Sequence, residues 1–191
     1  MKKLTVAILF GGCSSEYEVS LKSTSSVLES LCLEKYEVIL LGITREGQWL
    51  RYTGNIESIR NDSWHQSEKC VPAFLSPCRQ VRGIVTQENG AMTVTKVDVV
   101  FPILHGKNGE DGTVQGLLEL AGIPFVGCHT LSSAICLDKD IAHTLAESSG
   151  IKTPRSVTVY PNTDLATVQA ATEQLGFPLY VKPAKAGSSI G

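Results

Sequence analysis

The chain has 191 residues, enough to bury a sizeable core in one domain or in one domain plus part of another. With 42 % hydrophobic and 19 % charged residues, its composition is that of a globular protein and excludes a disordered tail or a fibrous chain. A formal net charge of -2, from 17 basic and 19 acidic residues with no run of Lys and Arg, speaks against a nucleic-acid partner.

Leu4 to Phe10 (LTVAILF) is a short continuous apolar run ending in Gly11-Gly12, the pattern of a strand buried on both faces of a parallel sheet. With two lysines before it and Cys13 after it, this stretch loosely resembles a lipoprotein signal. The apolar run is at the lower edge of a signal core, however, and a strand feeding a glycine loop explains the same residues better. Ser15-x-x-Glu18 has the form of a capping box, and Leu21, Ser25, Leu28 and Cys32 follow at helical spacing, which predicts a helix from about Glu16 to Leu33. Tyr36 to Ile43 returns as a second strand, completing a βαβ unit. From Thr44 to Lys96 the pattern is mixed: GQWLRYTG resembles a hairpin, and the segment reads as an elaboration of the sheet edge. Val97 to Leu104 is again a buried strand, followed by a polar glycine loop, a helix from about Thr113 to Ala121 closed by Gly122, and a strand at Ile123 to Val126. Up to about Gly127 the chain is therefore expected to be α/β with a mainly parallel sheet.

The rhythm then changes. A helical stretch containing Asp138-Lys139-Asp140 runs to Gly150, Pro154 opens a strand at Ser156 to Val159, and a helix (Asp164 to Leu175) and a strand (Leu179 to Lys182) follow. This reads as the start of an α+β domain. The last eleven residues form a strand edge and a glycine loop with no strand after it, as expected of a truncated chain.

Four stations carry chemistry. Gly11-Gly12-Cys13-Ser14-Ser15-Glu16 lies between a strand and a helix, where ligands bind in open α/β sheets. It lacks the third glycine of the dinucleotide fingerprint, which disfavours a nicotinamide cofactor. Glu16 could orient a cationic amino group, or simply complement the helix dipole. His105-Gly106-Lys107-Asn108-Gly109-Glu110-Asp111-Gly112 follows the later buried strand and should open on the same rim. Its bland reading is a capped turn, with both acids at the helix start and His105 satisfied by a backbone partner. Lys139 sits on a helix. Lys182 ends a strand and precedes Gly187-Ser188-Ser189-Ile190-Gly191, a loop able to fold over phosphates although it is not a Walker A sequence.

The segments FGGCSSEYEVSL, LHGKNGEDGTVQGLLELAGIPFVG, LDKD and VKPAKAGSSIG, in that order, resemble the D-alanine–D-alanine ligase family, including the vancomycin-resistance ligases that use D-lactate or D-serine. The resemblance implies a Rossmann-like, pre-ATP-grasp substrate-binding domain over residues 1–127 and the first part of an ATP-grasp domain over 128–191. By the same resemblance Glu16 binds the ammonium of the first D-alanine, Val19 lines that subsite and His105 lies near it. Lys139 and Lys182 contact ATP phosphates, Ser188 hydrogen-bonds within the Glu16 network, and Ser189 lies beside it on the phosphate loop. The family uses ATP and magnesium: ATP phosphorylates the first D-alanine carboxylate, and the amine or hydroxyl of the second substrate attacks the acyl phosphate. Its metal ligands, adenine-binding residues and oxyanion-stabilising arginine are expected beyond Gly191, so this chain alone should not turn over. Family members are usually homodimers through the first domain. The length of the Thr44 to Lys96 segment leans towards the D-serine-type ligases.

The six cysteines lie far apart and form no C-x-x-C pair, which argues against zinc and for free thiols in a reducing cytoplasm. No window approaches a membrane span. The alternative reading is a naturally short, non-catalytic domain that binds a ligand or dimerises.

Overall fold

The computed structural model of the protein describes residues 2–187. The chain divides into two compact units, residues 1–134 and 135–191.

The first unit is built on β1 (Leu4–Gly11), which pairs in parallel with β2 (Tyr36–Ile43) on one side and with β7 (Val99–Pro102) on the other. A strand in that position has no solvated face, and Ala7, Ile8, Leu9 and Phe10 are fully buried. The crossover between β1 and β2 is α1 (Tyr17–Ser30), which turns Tyr17, Ser20, Leu21, Thr24 and Ser25 inward. The capping box expected at Ser15 and Glu18 does not form. The N-cap position falls on Glu16, one residue later than the box requires, and no side chain caps the helix there; Ser14 accepts from the Glu16 N–H.

The α/β class read from the sequence holds, but the sheet is not mainly parallel: β2, β1 and β7 form a parallel end, and the rest pairs antiparallel. β3 (Trp49–Tyr52), β4 (Cys70–Leu75), β5 (Gly83–Glu88) and β6 (Ala91–Lys96) add four strands in antiparallel pairing, giving the order β6-β5-β4-β3-β2-β1-β7. GQWLRYTG is not a hairpin by itself. It supplies the second arm of one, with β2 as the first arm and the turn closed from the Thr44 N–H to the Gln48 carbonyl at 2.9 Å. Short connections of this kind join antiparallel neighbours, whereas a parallel neighbour needs a crossover.

Between β3 and β4 run α2 (Ile56–Arg60), capped by the Asn55 side chain, and a 3-10 turn at Trp64–Gln66. Trp64 is fully buried, edge-on to Phe10 with ring centroids 4.7 Å apart. Gly42 makes room for it, since a Cβ there would collide with both rings. On the other face, α3 (Thr113–Ala121) buries Val114, Leu118 and Ala121. It ends where the sequence placed the stop: Gly122 takes a left-handed φ of 65° and the Ile123 N–H returns to the Leu118 carbonyl at 3.1 Å. The strand expected at Ile123 to Val126 is reduced to one parallel bridge between Val100 and Phe125; Pro124 has no N–H to extend the ladder.

α4 (Thr130–Leu137) and α5 (Lys139–Ser148) replace the single helical stretch expected from Leu131 to Gly150. Asp138 divides them. Its extended backbone ends one helix, and its carboxylate accepts from the Asp140 and Ile141 N–H groups to start the next. α6 (Leu165–Leu175) begins at Asp164, whose side chain accepts from the Thr167 N–H at 2.9 Å. The strands expected at Ser156 to Val159 and Leu179 to Lys182 are not formed. Extended propensity becomes a strand only through a paired neighbour, and neither segment pairs among the described residues.

Candidate active site

The sites read from the sequence fall into two groups, one in each unit. In the first, the loop after β1 and the loop after β7 leave adjacent parallel strands at their carboxyl ends and are tied together by three serines. Ser20 is fully buried on α1. It accepts from the Gly11 N–H at 2.8 Å and donates to the Ile103 carbonyl, joining the roots of both loops. Ser14 accepts from the Glu16 N–H at 3.1 Å and donates to the His105 carbonyl at 2.8 Å. Ser23, one helical turn beyond Val19, meets the His105 ring at Nε2, 3.1 Å away.

These ties bring Glu16 and His105 to one place. Glu16 is 3 % exposed, and one of its carboxylate oxygens lies so close over Gly106 that a side chain at 106 would collide with it. Gly106 also has a φ of 67°, so both its conformation and its lack of a Cβ are used. Val19 is half exposed and shares a helix face with Glu16, Ser20 and Ser23, at offsets of three, four and seven residues from Glu16.

The second loop is held by its own acids. One Glu110 oxygen accepts from the Gly106 N–H at 3.0 Å, and the other lies 3.7 Å from His105 Nδ1. Asp111 accepts from the Asn108 N–H at 2.8 Å and the Thr113 N–H at 3.0 Å. Burial pushes its carboxyl upward, but these accepted hydrogen bonds outweigh burial and hold it below the ordinary carboxylate range. Gln115 on α3 donates to the Gly109 carbonyl at 2.7 Å. The capped-turn reading thus describes Asp111 well. His105 differs from it, with its ring set between side chains from two elements.

Behind Glu16, Tyr17 is buried and donates from its hydroxyl to Asp62 at 2.7 Å while accepting from Trp64 Nε1 at 3.0 Å. Arg45 stacks on the Tyr17 ring, 4.1 Å from its centroid, and pairs with Glu18 and Asp62 at 3.2 and 3.3 Å. Burial, then the hydrogen bond to Asp62, raises the Tyr17 phenol far above its usual range, so it stays a neutral donor.

In the second unit, Lys139 donates from Nζ to the Ala186 carbonyl at 2.6 Å, and its backbone N–H reaches the Ala184 carbonyl at 3.0 Å. An ammonium has three donors, so this bond leaves two for another acceptor. Lys182 is exposed, and Lys185 pairs with Asp138 at 3.4 Å. Ser188 and Ser189 lie outside the described residues.

Ser14, Ser20, Ser23 and the arrangement behind Tyr17 were not singled out from the sequence. One signal was available: α1 carries five serines within its fourteen residues, and serine is a poor choice for a helix interior unless its hydroxyl has work to do.

Residues 5–128 match the family profile described as the D-ala D-ala ligase N-terminus. The chain belongs to this ligase family. It is 48 % identical, over its whole length, to a D-alanine–D-alanine ligase of Caldicellulosiruptor bescii, of which it covers 53 %. It is 43 % identical over its whole length to the vancomycin/teicoplanin A-type resistance protein VanA of Enterococcus faecium, covering 52 % of that protein. Among solved structures, the VanG D-Ala:D-Ser ligase of Enterococcus faecalis superposes with a TM-score of 0.87 at 48 % identity, with 98 % of this chain and 54 % of that one covered. The chain therefore spans about half the length of the ligases it matches. Among the described residues, no helix is long and apolar enough to cross a membrane.

Proposed function

We propose that this chain is the part of a cytoplasmic ATP-dependent ligase that binds the first D-alanine, in an enzyme joining it to a second D-alanine, to D-serine or to D-lactate for cell-wall precursor synthesis or vancomycin resistance. The observation that carries this reading is the buried Glu16 carboxylate over Gly106, at the junction of two loops fixed to each other by Ser14 and Ser20. A carboxylate held there is the group that reads an ammonium, and charge-assisted hydrogen bonds of this type are the strong ones. Val19 would face the small side chain, and His105 would complete the rim.

ATP fits the second unit through the Lys139 ammonium, fixed on the Ala186 carbonyl, and through the exposed Lys182 nearby in sequence, with Ser188 and Ser189 as further donors. When bound, ATP supplies the phosphoryl group that activates the D-alanine carboxylate; the two lysines bind and orient its phosphates. For magnesium, the described residues contain no group of three His, Cys, Asp or Glu able to hold the ion. Residues 1–127 would act as the substrate-binding and homodimer-forming domain, and 128–191 as the first part of the ATP-grasp domain. In support, the relatives that match the whole chain are named as ligases for D-alanine pairs and for mixed pairs.

The test is phosphate release from ATP by the complete gene product, supplied with D-alanine alone and then with D-alanine plus D-serine or D-lactate. Release is expected to require D-alanine, and equal release with L-alanine would overturn the reading. Glu16→Gln should raise the Michaelis constant for the first D-alanine roughly ten-fold or more, since a hydrogen bond to a charged group is worth about 1.5–3 kcal/mol.

A further inference from the structure

Resting on the ligase reading above, the geometry assigns to Ser23, together with Glu110, the role of positioning His105: they hold its imidazole in a single orientation and a single neutral tautomer, with the proton on Nδ1. Neither residue touches substrate in this account. Both act through the ring.

The ring lies between two elements. Ser23 Oγ, from α1, is 3.1 Å from Nε2, and a Glu110 carboxylate oxygen, from the loop after β7, is 3.7 Å from Nδ1. An ionised carboxylate only accepts, so Glu110 favours a proton on the nitrogen that faces it. A hydroxyl can donate or accept by rotating, so Ser23 adopts the complementary role and donates to the unprotonated Nε2. Together the two partners select one tautomer, because the reverse arrangement would point the Nδ1 lone pair at the Glu110 oxygens.

The partners are themselves fixed. The second Glu110 oxygen accepts from the Gly106 N–H at 3.0 Å, which sets the carboxylate plane. Ser23 is anchored on a helix whose preceding turn contributes Ser20, buried and bonded to both loop roots. The backbone of His105 is held independently, its carbonyl accepting from Ser14 at 2.8 Å. His105 is thus hydrogen-bonded at its carbonyl and at Nε2, with a carboxylate facing Nδ1 at 3.7 Å. A ring that would otherwise be free to turn about its Cα–Cβ bond is set before any ligand arrives, on the residue next to Gly106, over which the Glu16 carboxylate lies, and that preorganisation lowers the cost of binding.

The experiment labels the histidine ring nitrogens with 15N and compares wild type with Ser23→Ala, Ser23→Thr and Glu110→Gln in the complete protein, without ligand and near neutral pH. Kinetics of the same proteins follow. The wild-type His105 spectrum should show one tautomer, protonated at Nδ1. Ser23→Ala and Glu110→Gln should give a mixture of tautomers, and Ser23→Thr, which restores the hydroxyl, should return the single form. The Michaelis constant for the first D-alanine should rise roughly three- to ten-fold in Ser23→Ala, the loss expected for one hydrogen bond, with the constant for ATP unchanged and the threonine variant near wild type. A wild-type ring protonated at Nε2, or a tautomer indifferent to both substitutions, overturns the assignment. Should Ser23→Ala fail to fold, the Glu110→Gln spectrum decides alone. The spectra separate the two readings: a tautomer that responds in a protein without D-alanine-dependent turnover rejects the ligase function and keeps the assignment. Normal turnover with an unresponsive tautomer does the reverse.

Discussion

The two units of the chain are held together by different means. In residues 1–134 a seven-stranded sheet is covered by helices, and side chains such as Ile8, Leu9, Phe10, Trp64 and Leu118 are fully buried. In residues 135–191 the helices α5 and α6 have no buried residue, and Ile141, Leu145, Val159, Leu165 and Tyr180 are exposed. The bonds described there are local: Asp138 and Asp164 cap the helices, and Lys139 and Lys185 tie the loop at 184–186 to α5 and its cap. The contrast separates two sources of order. Burial of apolar surface supplies most of a domain's stability, while caps and ion pairs set where elements start at about a kilocalorie each.

The widest separation between the units should come from truncating one large side chain in each. Trp64→Ala is expected to cost about 3–5 kcal/mol, measured by urea denaturation followed by circular dichroism. Leu165→Ala, 86 % exposed in α6, should stay within about 0.5 kcal/mol. Equal losses would break the comparison. Next in size is Gly106→Ala. A left-handed φ costs a residue with a Cβ about 1–2 kcal/mol, and the new methyl must displace the Glu16 carboxylate, so binding of the first D-alanine should weaken more than stability does. A variant with wild-type affinity would show that Glu16 is not held there. Asp164→Ala removes the cap of a helix with no buried face and should cost α6 about 1 kcal/mol, read as faster amide exchange over 165–175 with the sheet unaffected.

The smallest effect is one of pH. Because accepted hydrogen bonds hold Asp111 below its unfolded value, its contribution is present above the unfolded carboxylate range and is lost as pH falls through the lower folded value. Denaturation midpoints across the acid range should therefore decline less steeply in Asp111→Asn than in wild type. Identical acid limbs would remove Asp111 as a loop clasp.

What was legible in the sequence follows the same division. Leu4 to Phe10, Tyr36 to Ile43 and Val97 to Leu104 announced the parallel end of the sheet because strands buried on both faces are written as continuous apolar runs, and Gly122 announced the end of α3. The antiparallel extension was harder to read, since its strands are half exposed and their order depends on turn closures such as Thr44 to Gln48. The Ser15 box looked sufficient as a cap, yet the N-cap falls on Glu16, and the serine bonded to the Glu16 N–H is Ser14, which also meets the His105 carbonyl, a partner 91 residues away. The break at Asp138 was invisible to periodicity because two helices that abut keep the spacing nearly continuous. At the candidate site, Glu16 and His105 were proposed from loop chemistry, whereas the serines of α1 were signalled only by their number there, and the partners of Ser14, Ser20 and Ser23, 82 to 91 residues away, by nothing local.

Both tryptophans of the chain, Trp49 and Trp64, belong to the first unit. The Trp64 indole is bonded to the hydroxyl of Tyr17, the residue next to Glu16, and is sealed from solvent. The protein thus carries an intrinsic fluorophore wired to the base of its proposed amino-acid site. Its emission registers solvent reaching that base, so a titration or melt followed at the tryptophan band reports on the first unit without any label.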